Sequence, residues 1–235
     1  MFSGIATKFN GEKIYKYYSY KEDMNEMFAP IKNLTLRYRH PTTFNDPYDC
    51  YIAAKIDGKI QSVRLNQMES VFICSLTDSF NNMLMWSHYA SNHEGFVVEY
   101  DVSELRKLNE MQMEDFSYVC YSDEVLQRNF FSKNADNEVV NAIYHKASCW
   151  CYEKEIRSVV YRAKKQDYYE IKLNDACISG IILGSYFMTK TKGKIPSFLK
   201  EWKENNKLFY MQLLSHKYEL EKKQDIDDLW FYKDI

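Results

Sequence analysis

Two carboxylates one residue apart, Glu153 and Glu155, lie in Trp150-Cys151-Tyr152-Glu153-Lys154-Glu155-Ile156-Arg157. On a β-strand, residues i and i+2 point to the same face. A strand through this segment aligns both acids and puts Arg157 next in line. Two like charges so close are unfavourable unless solvated or paired. The spacing therefore has two readings. One is a solvated strand edge with Arg157 as salt-bridge partner. The other is a carboxylate pair that stabilises a developing cation or activates a nucleophile.

Three further groupings could do chemistry. In Phe44-Asn45-Asp46-Pro47-Tyr48-Asp49, Asn45, Asp46 and Pro47 suit a tight turn closed by side-chain bonds to the backbone. Alternatively Asp46 or Asp49 reaches into a cleft from a loop that follows a strand. Met85-Trp86-Ser87-His88-Tyr89-Ala90 and the following Asn92-His93-Glu94-Gly95-Phe96 concentrate two of the five His beside aromatic and acidic residues. His88 and His93 are five apart, which fits neither zinc-helix spacing. One is then a hydrogen-bonded group at a helix end or a substrate contact. Cys74-Ser75-Leu76-Thr77-Asp78 places Ser75 and Thr77 on one face at a strand end. No G-x-S-x-G elbow surrounds Ser75, and neither a Walker A loop nor a G-x-G-x-x-G turn occurs.

The elements that must position these groups follow from periodicity. Alternation predicts strands at Lys13–Tyr20, Leu34–Tyr38, Val71–Leu76, Phe96–Tyr100, Trp150–Tyr161, Ile178–Leu183 and Leu208–Leu214, the last continuing toward Tyr218. Helical spacing predicts Lys21–Ala29, stopped by Pro30, and Asn81–Ala90, capped by Asp78 or Ser79. A third helix starts at Pro196 and runs to about Asn206. Residues 104–147 read as a mostly helical insertion, with Val139, Ile143 and Ala147 as a stripe. The tail 225–235 is acidic and aromatic. Strands and helices do not alternate regularly, which argues against a doubly wound parallel sheet. The expected fold is α+β, one domain over 1–235, with a mixed or antiparallel sheet of about six to eight strands.

Composition bounds the class. The chain has 235 residues, 46% hydrophobic and 27% charged, with a formal net charge of -2. That excludes a disordered chain, a collagen and a disulfide scaffold. Gly and Pro number only 7 and 4, while Tyr alone numbers 20, so long elements and amphipathic rings are expected. The six Cys form no C-x-x-C pair, and no apolar leader or spanning segment is visible. The reading is a cytoplasmic protein with reduced thiols and no membrane partner.

The order of a YKYYSY strand, PTTFNDPYD, FICSLTDS, MWSHYASNHEGFVVEYD, WCYEKEIR and ISGIILG resembles the bacterial domain-of-unknown-function 2971 family, from about Lys13 to Leu214. That family carries no assigned activity. The layout is also similar to ADP-ribosyltransferases, which combine an early aromatic or basic strand residue, a central hydroxyl motif and a late Glu-x-Glu. This second resemblance implies NAD as substrate, Glu155 as catalytic glutamate and Glu153 as its upstream partner. It implies Ser75 and Thr77 as the hydroxyl motif and Tyr17 or Arg37 as NAD contacts. Trp86, His88 and Tyr89 complete the expected nucleotide site, with rings to stack on nicotinamide or adenine. Here the early strand offers Lys16 and Tyr17 where that family has Arg or His, and the hydroxyl motif is S-L-T.

The ADP-ribosyl reading expects no metal, a small nucleotide ligand and a protein or nucleic-acid acceptor, with defence or toxin action as a compatible role. Two alternatives stand beside it. A metal-dependent nuclease would use Asp46, Asp49, Glu153 and Glu155 around a divalent ion. A non-catalytic module would bind a nucleotide, a peptide or a base on its aromatic residues and phosphate on Lys190–Lys207.

Overall fold

The computed structural model describes residues 6–56, 59–63, 69–108, 114–128, 141–163 and 166–224. The chain forms two compact units, each assembled from three stretches. The first holds Met1–Asn10, Leu36–Leu76 and Asn109–Ile171; the second holds Gly11–Thr35, Thr77–Leu108 and Lys172–Ile235. Strands and short helices are interspersed without regular alternation, the α+β arrangement that the sequence predicts.

In the first unit, strands Tyr168–Lys172, Thr35–Arg39 and Val71–Thr77 are neighbours in that order. Glu155–Tyr161 pairs with Val71–Thr77 and with Glu114–Tyr118. Val71–Thr77 is rich in β-branched and aromatic side chains, and almost all of it is buried, as a strand covered on both faces requires. Ile52, Val71, Ile73, Ile143 and Val159 close the core beside it. Two small sheets flank these strands. Ile52–Ile56 pairs with Lys59–Val63 and Gln127–Arg128, and His145–Ala147 runs parallel to Cys120–Ser122.

In the second unit the strand order is Lys13–Tyr18, Phe96–Asp101, Ile178–Leu183, Leu208–Leu213, Leu220–Lys223. All contacts are antiparallel except Ile178–Leu183 with Leu208–Leu213. Helix Met83–Tyr89 lays Trp86 on this sheet, where it meets Tyr15, Val97, Ile182 and Met211. Gly95 makes that approach possible: a Cβ there would stand 2.1 Å from the Tyr18 carbonyl oxygen.

Several local expectations change. The helix at Met83 is capped by Asn82, whose Oδ1 accepts from the Leu84 and Met85 amides, not by Asp78 or Ser79. Pro30 opens a helical turn, Ala29–Lys32, instead of only stopping one, because a proline at a first helical position costs no hydrogen bond. Residues Ser148–Glu153 form a 3-10 helix, and the strand starts only at Glu155. Residues 104–147 are not mainly helical among the described residues. They hold strands Glu114–Tyr118, Cys120–Ser122, Gln127–Arg128 and His145–Ala147, since pairing in the first unit outweighs local helix preference. Val139 and the tail 225–235 lie outside the described residues.

Candidate functional site

The ionic cluster of the first unit starts from a backbone irregularity. Lys154 adopts a left-handed conformation, φ 44° and ψ 48°, and ends the 3-10 helix. The turn separates Glu153, on the last helical position, from Glu155, on the first strand position. The two acids therefore do not share a strand face as the i, i+2 spacing suggests. They meet by another route, through Lys146 on the neighbouring short strand His145–Ala147.

Lys146 Nζ lies 2.5 Å from Glu153 Oε2, 2.9 Å from Glu155 Oε2 and 3.7 Å from Asp49 Oδ2. Arg157, two residues beyond Glu155 on the same strand, holds that carboxylate from its other side. Its Nε donates to Glu155 Oε1 at 2.8 Å and its Nη2 to Oε2 at 3.0 Å. The same Nη2 donates to Asp49 Oδ1 at 2.7 Å, and Nη1 donates to the Ile143 carbonyl at 2.5 Å. All five charged side chains are at most 5% exposed. Ser75 donates a hydrogen bond to the Glu155 carboxylate, and the Glu155 amide donates to Tyr121 Oη at 2.8 Å. The Trp150 ring covers Lys146, with its centroid 5.2 Å from Nζ.

The electrostatics are uneven. Three carboxylates face two cations, so one negative charge is in excess. Burial alone would raise Glu155, but Arg157 and Lys146 outweigh it and hold this carboxyl below the ordinary range. Asp49 goes the other way: burial pushes it up, and Arg157 only partly offsets the rise. Burial works against the charge on Lys146 and Arg157 too, yet their acidic neighbours raise both pKa values. Burial also raises the Cys50 thiol, which packs 3.6 Å from Arg157 Nη1 and is therefore no ready nucleophile.

The sequence candidates thus divide. Glu153, Glu155, Asp49 and Ser75 come together. Asp46 is buried close by in sequence, but its Oδ1 accepts from the Tyr48 amide and serves the turn, while Oδ2 has no hydrogen-bond partner. Asn45 is exposed. Arg37 pairs with Glu170 and lies over the Tyr168 ring. In the second unit, Tyr17 packs edge-on against Trp86 and donates to the Ser79 carbonyl, and Thr77 Oγ1 accepts from the Ser79 amide. Trp86 is fully buried and donates Nε1–H to the Phe80 carbonyl, so it is a core residue. His88 is exposed beside Tyr89. Lys146, Tyr121 and Trp150 are the members that the sequence reading missed. Lys146 falls in a segment that reads as a helix with its apolar stripe on Val139, Ile143 and Ala147, which leaves the lysine off that stripe, so nothing marked it as buried.

Among the described residues, no three His, Cys, Asp or Glu side chains are arranged to hold a metal ion. The point where the three carboxylates converge is taken by the Lys146 ammonium. Also among the described residues, no helix is long and apolar enough to cross a membrane.

A model of the family described as protein of unknown function (DUF2971) matches residues 85–158. That stretch contains MWSHYASNHEGFVVEYD and WCYEKEIR, and with them all five charged-cluster and cluster-covering residues that follow Asp49 in the chain: Lys146, Trp150, Glu153, Glu155 and Arg157. The resemblance to this uncharacterised family is thus supported there. No curated protein and no solved structure matches the chain.

Proposed function

We propose that the chain is an ADP-ribosyltransferase-like enzyme that cleaves the nicotinamide glycosidic bond of NAD, with Glu155 stabilising the ribosyl cation. The observation that carries this reading is the convergence of Glu155, Glu153 and Asp49 on one cationic centre. Cleavage of that bond builds positive charge on the ribose, and carboxylates held in place beforehand stabilise it without reorganising. Arg157 positions Glu155 from behind, and the Ser75 hydroxyl fixes it from the side. Glu153 and Asp49 add negative potential. Lys146 holds the cation position, so the reaction requires its side chain and the Trp150 ring to swing aside while Glu153 stays in place.

The test is NAD consumption by purified protein, wild type beside Glu155→Gln, with and without EDTA. The expected result is EDTA-insensitive loss of NAD that falls at least about a hundredfold in the variant, the scale of losing one preorganised stabilising group. Circular dichroism checks that the variant is folded. Wild-type protein that leaves NAD intact, or folded Glu155→Gln protein that cleaves it at the same rate, overturns the reading. Loss of activity in EDTA would point to the metal-dependent alternative instead.

A further inference from the structure

The second unit contains a charged group that the proposed reaction does not use. Glu99 lies in the middle of strand Phe96–Asp101, opposite Tyr15 on one side and Gly180 on the other. A buried carboxylate is costly unless its oxygens are met, and here they are. Tyr15 hydrogen-bonds the carboxylate, Ser179 Oγ donates to Oε1 at 2.9 Å, and Lys222 Nζ donates to Oε2 at 3.0 Å. The Lys222 ammonium also stands 4.4 Å from the Phe209 ring centroid and 5.1 Å from that of Phe80. Gly180 keeps the floor open, because a Cβ there would lie 3.1 Å from the Phe209 ring and 3.5 Å from Glu99 Oε1.

A fixed carboxylate with two aromatic rings is the set of groups that recognises an alkylammonium ion. The ion present is tethered. It belongs to Leu220–Lys223, a four-residue strand at the end of the strand order, and its side chain is 25% exposed. Short terminal strands are the parts of a sheet that open most readily. We propose that Glu99, Tyr15, Ser179, Phe80 and Phe209 form a binding niche for a small primary alkylammonium ligand, and that Lys222 is its built-in occupant, which the ligand replaces.

The experiment removes the occupant and offers the ion back. Lys222→Ala protein is titrated with n-propylammonium chloride and its melting temperature followed, beside wild type and the Glu99→Gln/Lys222→Ala double variant. Sodium chloride and n-propanol serve as controls. The proposal expects a saturable rise in the single variant, about 3 °C at ten times the dissociation constant. The double variant should show less than a third of that rise. Wild type should respond only at concentrations at least about tenfold higher, because its own lysine competes at high effective concentration. Equal responses in single and double variants, or no saturable response in folded Lys222→Ala protein, overturn the proposal. If Lys222→Ala does not fold, Lys222→Thr, with its higher strand preference, is put through the same comparison, and the same outcomes decide.

Discussion

Each unit of the molecule lodges a lysine ammonium, at most a quarter exposed, against carboxylate and aromatic ring, and the two arrangements differ in how tightly the cation is held. Lys146 meets Glu153, Glu155 and Asp49 beneath Trp150 and is 5% exposed. Lys222 meets one carboxylate among the described residues, Glu99, over Phe209 and Phe80, and is 25% exposed. The first cluster needs a guanidinium as well, because three carboxylates outnumber one lysine. The second is a neutral pair whose carboxylate is completed by two hydroxyls. The contrast separates two uses of one residue type. A cation that balances buried excess charge belongs to folding and to any catalysis built on that charge. A cation at the rim of an aromatic niche can be exchanged.

The strongest test of the comparison removes the guanidinium. Arg157→Leu leaves Glu155 and Asp49 to share the one ammonium of Lys146 with Glu153, among side chains that are at most 5% exposed. Breaking a buried ionic network by removing one partner costs about 3–5 kcal/mol, and this variant should fall at the upper end, measured by urea unfolding. A cost below about 1 kcal/mol would mean that water reaches the cluster and that its burial does not govern its energetics.

Next come the two lysines themselves. Lys146→Met should cost about 3 kcal/mol, because it strands buried carboxylates. Lys222→Met should cost about 1 kcal/mol or less, since Met keeps its stem on the two rings and Glu99 retains two hydroxyl donors. Equal costs would erase the distinction drawn between them.

The pH dependence separates Glu155 from Asp49. Glu155 has a folded pKa below its unfolded value, so its stabilisation is present above the ordinary carboxylate pKa and is lost as pH falls toward the folded value. Asp49, whose folded pKa is raised, contributes with the opposite sign: it favours folding below its folded pKa and opposes it above. Between about pH 5 and pH 3, wild-type stability should therefore decline less steeply than Glu155 alone would dictate. Asp49→Asn should steepen that decline and Glu155→Gln should flatten it, in denaturant midpoints collected across the range.

How much of this was legible in the sequence depends on which force placed each residue. Strands Lys13–Tyr18, Val71–Thr77, Phe96–Asp101 and Ile178–Leu183 announce themselves because alternation or an unbroken apolar run is a local signal. Arg157 as partner of Glu155 was also readable, since i, i+2 on a strand is a local relation. The burial of that pair was not, because an acid-rich segment reads as solvated until its distant partners are known. Lys146 and Asp49 reach Glu155 only through tertiary structure. The left-handed turn at Lys154 had no marker either, as neither Gly nor Asn stands there. Glu99 was missed for a related reason: FVVEY shows a strand, while Ser179 and Lys222 come from distant stretches of chain.

The smallest effect belongs to a pair that shares its chemistry with the buried one. Arg37 meets Glu170 Oε1 at 2.8 Å through Nε and at 2.7 Å through Nη2, distances that match those of Arg157 with Glu155 and Asp49. The surroundings differ most: the side chains of Arg37 and Glu170 are 52% and 34% exposed. Water and salt screen such a pair, and ordering two long side chains offsets most of what remains. Arg37→Gln should therefore change stability by about 0.5 kcal/mol or less, and 0.5 M salt should shrink even that. The same substitution examines Arg37 as a nucleotide contact. If it raises the KM for NAD while leaving stability and kcat in place, the guanidinium leaves Glu170 for substrate; if KM is unchanged, its role is confined to the pair with Glu170. Bond length alone thus predicts neither cost nor function, and equal destabilisation by Arg37→Gln and Arg157→Leu would remove burial as the property that distinguishes the two arginines.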